Sequence, residues 1–299
     1  MMYISFQRFV HFDVYICCQI LSCMVQFTNT CMPNLRYGNH LVGSTFKIIE
    51  TSSLFSCAAE CVSYGICKSF NFEFGRRACH LNGLDDLDYL EGGGRDTDFI
   101  YSSIISWNKT TLGPCHDNQC GYTQRCNSKR RGNVHCGEEF LPNIAKSKST
   151  TSSSLYKYQP SVAVDGDLTA TWSSGSCFHV AFGDFSQWWQ VDLLDNYVIM
   201  EVRVTGREDC CPERLHDFAL DVYQADPIAY PDVSPQLCYM YSGAVTERGK
   251  TVAIQCTSSV TGRYLRVSGK ETENEQDVLQ FCEVQVYGYN VIHCCTGGT

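Results

Sequence analysis

Positive charge is scarce in this 299-residue chain: Lys and Arg number 23 against 32 Asp and Glu, a formal net charge of −9. A surface with that balance repels phosphate backbones and anionic bilayers unless its few cations cluster, which argues against nucleic-acid binding. Proline (8) and methionine (6) are few and charged residues make up only 18%, whereas apolar residues reach 44% and aromatics 12%. That composition excludes wholesale disorder. No stretch beyond the N-terminal region approaches the roughly 18 consecutive apolar residues of a membrane span. There is neither a G-x-S-x-G elbow nor an H-E-x-x-H pair, and none of the eight His lies in a recognisable catalytic frame, so the expectation is a binding protein and not an enzyme. No internal repeat is visible.

Cysteine is the opposite case. Twenty in 299 residues is roughly three to four times ordinary usage, a density that marks secreted, disulfide-bonded chains. The N-terminus agrees: Arg8 precedes a short apolar run from Val14 to Val25, interrupted by Gln19, that reads as a signal peptide over residues 1–27. Cleavage between Ser22 and Thr30 would remove Cys17, Cys18 and Cys23. At about 150 residues per domain, the length predicts two domains.

The first module spans 31–106. Leu54, Cys57, Ala58, Cys61 and Val62 share one face of a helix predicted over Ser53 to Tyr64 and stopped by Gly65. Phe70, Phe72 and Phe74 alternate with Asn71 and Glu73 as a strand, and Cys79 and Leu81 sit in a second short strand. Four cysteines, at 57, 61, 67 and 79, permit three pairings. The nested one, Cys57–Cys79 with Cys61–Cys67, would fix the helix across the hairpin. The C-x3-C-x5-C run, the S-F-N-F that follows and A-C-H-L-N resemble a PAN/apple domain, a family of extracellular protein- or carbohydrate-binding modules, although no late cysteine is present to partner Cys31.

Residues 107–137 hold Cys115, Cys120, Cys126 and Cys136 among too few apolar side chains to build a core without bridges. The C-x4-C-x5-C-x9-C spacing resembles the middle of an EGF-like module. A zinc knuckle competes, disfavoured by an oxidising compartment. Asn108-Lys109-Thr110 is an N-glycosylation acceptor.

From 138 to 289 short strands alternate with turns: Trp188 to Leu193, Tyr197 to Val204, Phe218 to Tyr223, Tyr264 to Val267 and Leu279 to Tyr287. The expectation is mainly β, a β-sandwich behind a small α+β disulfide-bonded module. Val198, Met200, Val202 and Val204 are predicted to share one packed face. Five motifs occur in order: Asn143-Ile144-Ala145; Ala163-Val164-Asp165-Gly166; Ser176-Cys177-Phe178-His179; Trp188-Trp189-Gln190-Val191-Asp192-Leu193; and Arg207-Glu208-Asp209-Cys210-Cys211-Pro212-Glu213-Arg214-Leu215. Together they resemble the F-type lectins, or fucolectins, a jelly-roll family that binds fucose.

The resemblance implies that His179, Arg207 and Arg214 grip the sugar ring oxygen and hydroxyls and that Asp209 orients the arginine fork. It also implies bridges Cys177–Cys282 and Cys238–Cys256, and a bond between Cys210 and Cys211 that forms an apolar plate beneath the sugar. Neighbouring α-carbons lie about 3.8 Å apart, short of the roughly 4.4 Å of ordinary disulfides, so pairing with distant partners stays open for these two. A structural calcium is implied at Asp165, Asp167, Ser176 and Glu283, with backbone carbonyls of Cys282 and Val162; an all-oxygen, carboxylate-rich set suits that ion. Trp172 is either the wall for the fucose methyl or a core residue. Phe178, Val180 and Glu208 stand where the family has smaller residues, which leaves specificity beyond fucose open. A discoidin-like adhesion or membrane-binding protein, using apolar loop spikes on the same sandwich, is the alternative.

Cysteine parity adds one expectation. Twenty less the three of the leader leaves 17, and the bridges of the two modules and the connector consume 14. Cys31 and, in the tail 290–299, Cys294 and Cys295 remain, so a disulfide-linked homo-oligomer is expected to supply multivalency for fucosylated glycans. The first module would add its own protein or glycan partner.

Overall fold

A computed structural model describes residues 33–85, 87, 90–92, 98–118, 120–129 and 132–290. The signal segment, Cys31, Cys294 and Cys295 lie outside the described residues.

In the first module Ser53, in an extended conformation, caps helix α1 (Leu54–Val62) by accepting the Ser56 N–H at 3.1 Å, a cap worth about 1 kcal/mol. The helix buries Cys57, Ala58, Cys61 and Val62 and ends at Ser63, two residues before Gly65. The strands are β1 (Leu35–Tyr37), β2 (Asn39–Leu41), β3 (Thr45–Glu50), β4 (Ser69–Glu73), β5 (Ala78–Asn82), β6 (Leu90–Gly92) and β7 (Phe99–Ser103). Five of them form an antiparallel sheet in the order β1-β7-β4-β5-β3, and β2 pairs with β6. Cys57–Cys79 ties the helix to β5, and Cys61–Cys67 closes the turn leading to β4. The polar face expected of β4 is absent. Asn71 is buried with Phe70 and Phe72 because its amide exchanges hydrogen bonds with the Leu41 backbone, at 2.8 and 2.9 Å, in place of water.

The connector is a hairpin of β8 (Gln124–Ser128) and β9 (Val134–Glu139) held by Cys115–Cys126 and Cys120–Cys136. All four thiols are consumed, which removes the zinc-knuckle alternative.

The second module is built from β10 (Ser149–Ser152), β11 (Phe178–His179), β12 (Trp188–Thr205), β13 (His216–Tyr223), β14 (Gln236–Ala244), β15 (Thr251–Gly269), β16 (Gln280–Phe281) and β17 (Glu283–Asn290). The main sheet runs β10-β12-β15-β13-β14, with β17 also on β12; β11 pairs with β16 separately. Where two strands were expected before residue 205, a single 18-residue strand, β12, runs through. Its first half pairs with β10 and its second with β17, while β15 accompanies both. Trp189, Val191, Leu193, Phe218, Leu220, Leu265, Val267, Phe281 and Val284 fill the core.

The predicted common face of Val198, Met200, Val202 and Val204 is split. A bulge between Ile199 and Glu201 shifts the register against both neighbouring strands. Val202 and Val204 enter the sandwich core, whereas Val198 and Met200, with Tyr287 and Tyr289, pack on Phe46 and Ile66 of the first module, Tyr122 of the connector, and Phe140 and Leu141 just after it. Gly288 leaves room for the bulge, since a Cβ there would stand 2.4 Å from the Val198 carbonyl oxygen. Arg203 spans the junction, donating to Glu201 at 2.7 Å and to Thr123 at 2.9 Å, pairing with Glu139, and lying 4.4 Å over the Tyr287 ring.

Candidate functional site

The site begins with a two-residue ladder. Phe178 pairs with Phe281 and His179 with Gln280, and Cys177–Cys282 closes the same ladder one step further. The side chains of Phe178, Val180 and Phe281 turn into the core, so those of Phe178 and Val180 do not border the site. His179 is 3% exposed, and its Nδ1–H donates to the Val180 carbonyl, which leaves Nε2 as an acceptor. Burial, with the charges of Arg214 and Arg207, holds the imidazole below its ordinary 6.5 against the opposing pull of that carbonyl, so the ring is neutral at neutral pH.

Arg207 follows the end of β12 and is 8% exposed. Asp209 accepts its Nε and Nη2 at 2.9 Å each, a bidentate clasp that keeps the carboxylate ionised below the usual range. The fork lies 5.2 Å from the Trp172 ring, and the Trp172 N–H donates to Asp209 at 3.2 Å. Trp172, half-buried and 5.6 Å from the His179 ring, therefore belongs to the site wall. Glu208, exposed, uses its N–H on the Ala170 carbonyl at 2.8 Å.

Cys210 and Cys211 are bonded to each other, with Cys211 in the left-handed region at φ 55°, and the chain then turns through Pro212–Arg214. That turn presents Arg214, whose Nη1 stands 3.5 Å from His179 Nε2. Cys238–Cys256 links β14 to β15.

The structure thus brings His179, Arg207, Arg214, Asp209, Trp172 and the Cys210–Cys211 pair together. It adds Gln280, which sequence reasoning missed. Gln280 is buried, donates to the Cys211 carbonyl at 2.8 Å and accepts from Arg207 Nη1 at 3.3 Å. The signal was available: once Cys177 pairs with Cys282 in an antiparallel ladder, two steps along one strand reach His179 and two along the other reach Gln280. Tyr156 and Phe182, 5.0 and 5.2 Å from the His179 ring, were also missed, because exposed aromatics in loops carry no periodic signal. Chemically the site offers two guanidinium forks, one neutral imidazole acceptor and apolar surfaces, a set suited to uncharged hydroxyl-rich ligands.

Below the ladder lies Glu283, fully buried, with neither carboxylate oxygen meeting a hydrogen-bond partner. Burial pushes it up to about 8, with Asp165 and Asp167 adding repulsion and Gly166 and Lys146 opposing. Asp165 accepts the Asp167 N–H at 2.7 Å, Asp167 accepts the Thr169 N–H at 2.9 Å, and Ser176 stands 3.5 Å from Asp167. Val162 lies in the short helix preceding Asp165, and Cys282 directs its N–H to Thr205 at 2.7 Å. Among the described residues no three His, Cys, Asp or Glu side chains are already arranged around a common metal position. The orphaned Glu283 carboxylate is the feature that fits a cation, and every other donor in the set is an oxygen, as calcium requires.

A family model described as a PAN domain matches residues 31–106, and one described as a NedA-like, galactose-binding domain matches 162–267. Fucolectin of Anguilla anguilla is 33% identical over 128 residues, 43% of this chain and 75% of the relative. Fucolectin-1 of Anguilla japonica is 34% identical over 127 residues, 42% of this chain and 66% of the relative. A pentraxin fusion protein of Xenopus laevis is 26% identical, covering 54% of this chain and 38% of the relative. The chain spans between 60% and 66% of the length of the first three curated relatives it matches. Among solved structures, a fucolectin from Morone saxatilis serum is 31% identical with a TM-score of 0.45, covering 50% of each chain. With one third identity across three quarters of the Anguilla anguilla protein, and with a PAN domain ahead of the sandwich, the chain belongs to the fucolectin family.

Proposed function

We propose that this chain is a lectin for terminal L-fucose, acting by binding and not by catalysis. The carrying observation is the convergence of the neutral His179 acceptor with the Arg207 and Arg214 donors beside the Cys210–Cys211 edge and Trp172. Fucose is uncharged. It offers hydroxyls and a ring oxygen to directional donors and a methyl group to an apolar wall, and such bonds return free energy only where the protein groups are held in advance. Asp209 and Gln280 hold Arg207, and Val180 holds His179. The relatives named fucolectins support the reading. Calorimetric titration with L-fucose and with D-galactose tests it: saturable fucose binding at least tenfold tighter is expected, and equal affinity for both would overturn it.

Calcium belongs to the same reading. Glu283, Asp165, Asp167 and Ser176, with the Val162 and Cys282 carbonyls, would hold it; the ion would neutralise the carboxylates and order the chain that leads to His179. Seven disulfides among the described residues support an extracellular chain. Asn108, exposed in the segment between the first module and the connector hairpin, is the proposed glycan acceptor, and endoglycosidase shift of the secreted protein checks it. A disulfide-linked oligomer through Cys294 or Cys295 completes the reading; a pure monomer on non-reducing electrophoresis and by light scattering would remove it.

A further inference from the structure

Strand β3 is the outer strand of the first module's sheet: β5 pairs with one edge, and among the described residues no strand pairs with the other. The phase of that ladder is set at its end, where the Thr51 N–H donates to the Arg77 carbonyl at 2.9 Å. In an antiparallel pair such bonds fall on alternate residues. Lys47 and Ile49 therefore turn their backbone groups to β5, and Ile48 and Glu50 turn theirs to the open edge. An open edge is a template for a further strand.

This edge borders a groove of about 520 Å³ between β3 and α1, lined by Lys47, Ile49 and Thr51 of the strand side, Phe55 and Ala59 of the helix, and Arg125 of the connector. Phe55 is 50% exposed there. Tyr64, buried, belongs to the same lining, with Lys47 Nζ 5.2 Å and the Arg125 guanidinium 5.4 Å from its ring. The walls are fixed independently of any ligand. Cys57–Cys79 ties α1 to β5, a backbone bridge joins Tyr64 to Arg125, and Phe46 of β3 packs 5.9 Å from Tyr289 of the sandwich. A ligand docking there meets surfaces already ordered, which lowers the cost of binding.

The charges of the groove select its occupant. Arg125 is engaged, since both Glu60 carboxylate oxygens accept its Nη2, at 2.9 and 2.7 Å. Lys47, half-buried, has no carboxylate partner among the described residues. Glu50 reaches the end of the groove, but strand alternation points its side chain to the face opposite Lys47. The uncompensated ammonium calls for an acidic side chain, and Ile49 and Phe55 call for an apolar one. We propose that the β3 edge and its groove bind an extended peptide of another protein as an added strand. The peptide carries an acidic residue opposite Lys47 and, two positions away on the same face, an apolar residue against Ile49 and Phe55. A second copy of this chain does not fit: antiparallel pairing through Ile48 and Glu50 sets Lys47 across from Ile49 or Thr51 of the copy, with no carboxylate opposite. The site lies in the first module and does not depend on the fucose reading.

The test is to pan a random-peptide library displayed on phage against the full secreted chain and to titrate the enriched sequence, as a synthetic peptide, by calorimetry. Enriched sequences should share an acidic and an apolar residue two positions apart, and their binding should weaken as salt rises. Lys47→Ala should lower affinity about tenfold and Lys47→Glu further, whereas Lys47→Arg preserves it; circular dichroism is the folding control. N-methylation of the peptide at the alternate positions that face β3 should abolish binding, and methylation at the intervening positions should not, a readout that needs no change in the protein. Absence of enrichment, or an enriched peptide insensitive to Lys47→Ala or to every N-methylation, overturns the proposal. Self-association of the parent chain that Ile48→Pro abolishes, with no peptide enriched, would assign the edge to a second copy instead.

Discussion

His179 and Gln280 face each other across a ladder only two residues long, and the Gln280 side chain ties the Arg207 fork to the Cys211 carbonyl. The strand that carries His179 therefore pairs with the one whose Gln280 holds the Arg207 fork, although His179 lies 28 residues before Arg207 and Gln280 lies 73 after it.

Arg207→Ala and Arg214→Ala should each abolish detectable fucose binding with the fold intact. A charged hydrogen-bonding partner is worth about 2 to 3 kcal/mol, or about 30- to 150-fold in affinity. Arg214→Lys should recover little, because an ammonium lacks the planar fork. Immobilised-fucose retention with a circular-dichroism control checks both claims.

Gln280→Leu keeps volume but leaves the Cys211 carbonyl and an Arg207 N–H without partners inside the protein. Stability should fall by about 1 to 3 kcal/mol, seen as a lower denaturant midpoint, and fucose affinity should fall with it. An unchanged midpoint and affinity would show that Gln280 only fills space.

Fucose binding should be level from pH 8 to pH 6.5 and decline below. The His179 acceptor is lost on protonation, and its folded-state pKa lies beneath 6.5 through burial and the facing Arg214 and Arg207. The sign for stability is the same: the contribution of neutral His179 is present above 6.5 and lost as pH falls through the lower folded value. Titration of affinity against pH, with backbone circular dichroism at each point, separates the two effects.

Chelation should lower the melting temperature of the metal-loaded sandwich, because a ligand that binds only the folded state stabilises it by mass action. Glu283→Gln should erase that response, since it removes the buried carboxyl that would meet the ion. Scanning calorimetry with and without calcium reads both.

Met200→Asp would place a charge in the junction between modules, at a cost of about 3 kcal/mol or more if the contact held. The contact should instead open. Calorimetry is then expected to resolve separate transitions for the two modules, with fucose binding retained. Gly83, where a Cβ would stand 2.6 Å from the Tyr289 hydroxyl, offers a second way in through Gly83→Val.

The sequence by itself determined whatever depends on near neighbours. The spacing Arg207-x-Asp209-Cys210-Cys211-x-x-Arg214 confines a fork, its carboxylate and a turn to eight residues, so their proximity needs no knowledge of the fold. The apolar period of α1 and the short strands after residue 188 were legible for the same reason. Tertiary structure alone decided the rest. One extra residue against β17 at the Ile199–Glu201 bulge sends Val198 and Met200 to the first module and Val202 and Val204 to the core, a reversal that a strict alternation cannot express. Asn71 reads as solvent-facing until Leu41, 30 residues away, supplies the backbone partner that permits its burial. Gln280, Tyr156 and Phe182 reach His179 only because a disulfide-set register and the Asp184 carboxylate, which accepts from Ser153 and Ser154, bring distant loops together, and such long-range closures leave no period in the chain to be read.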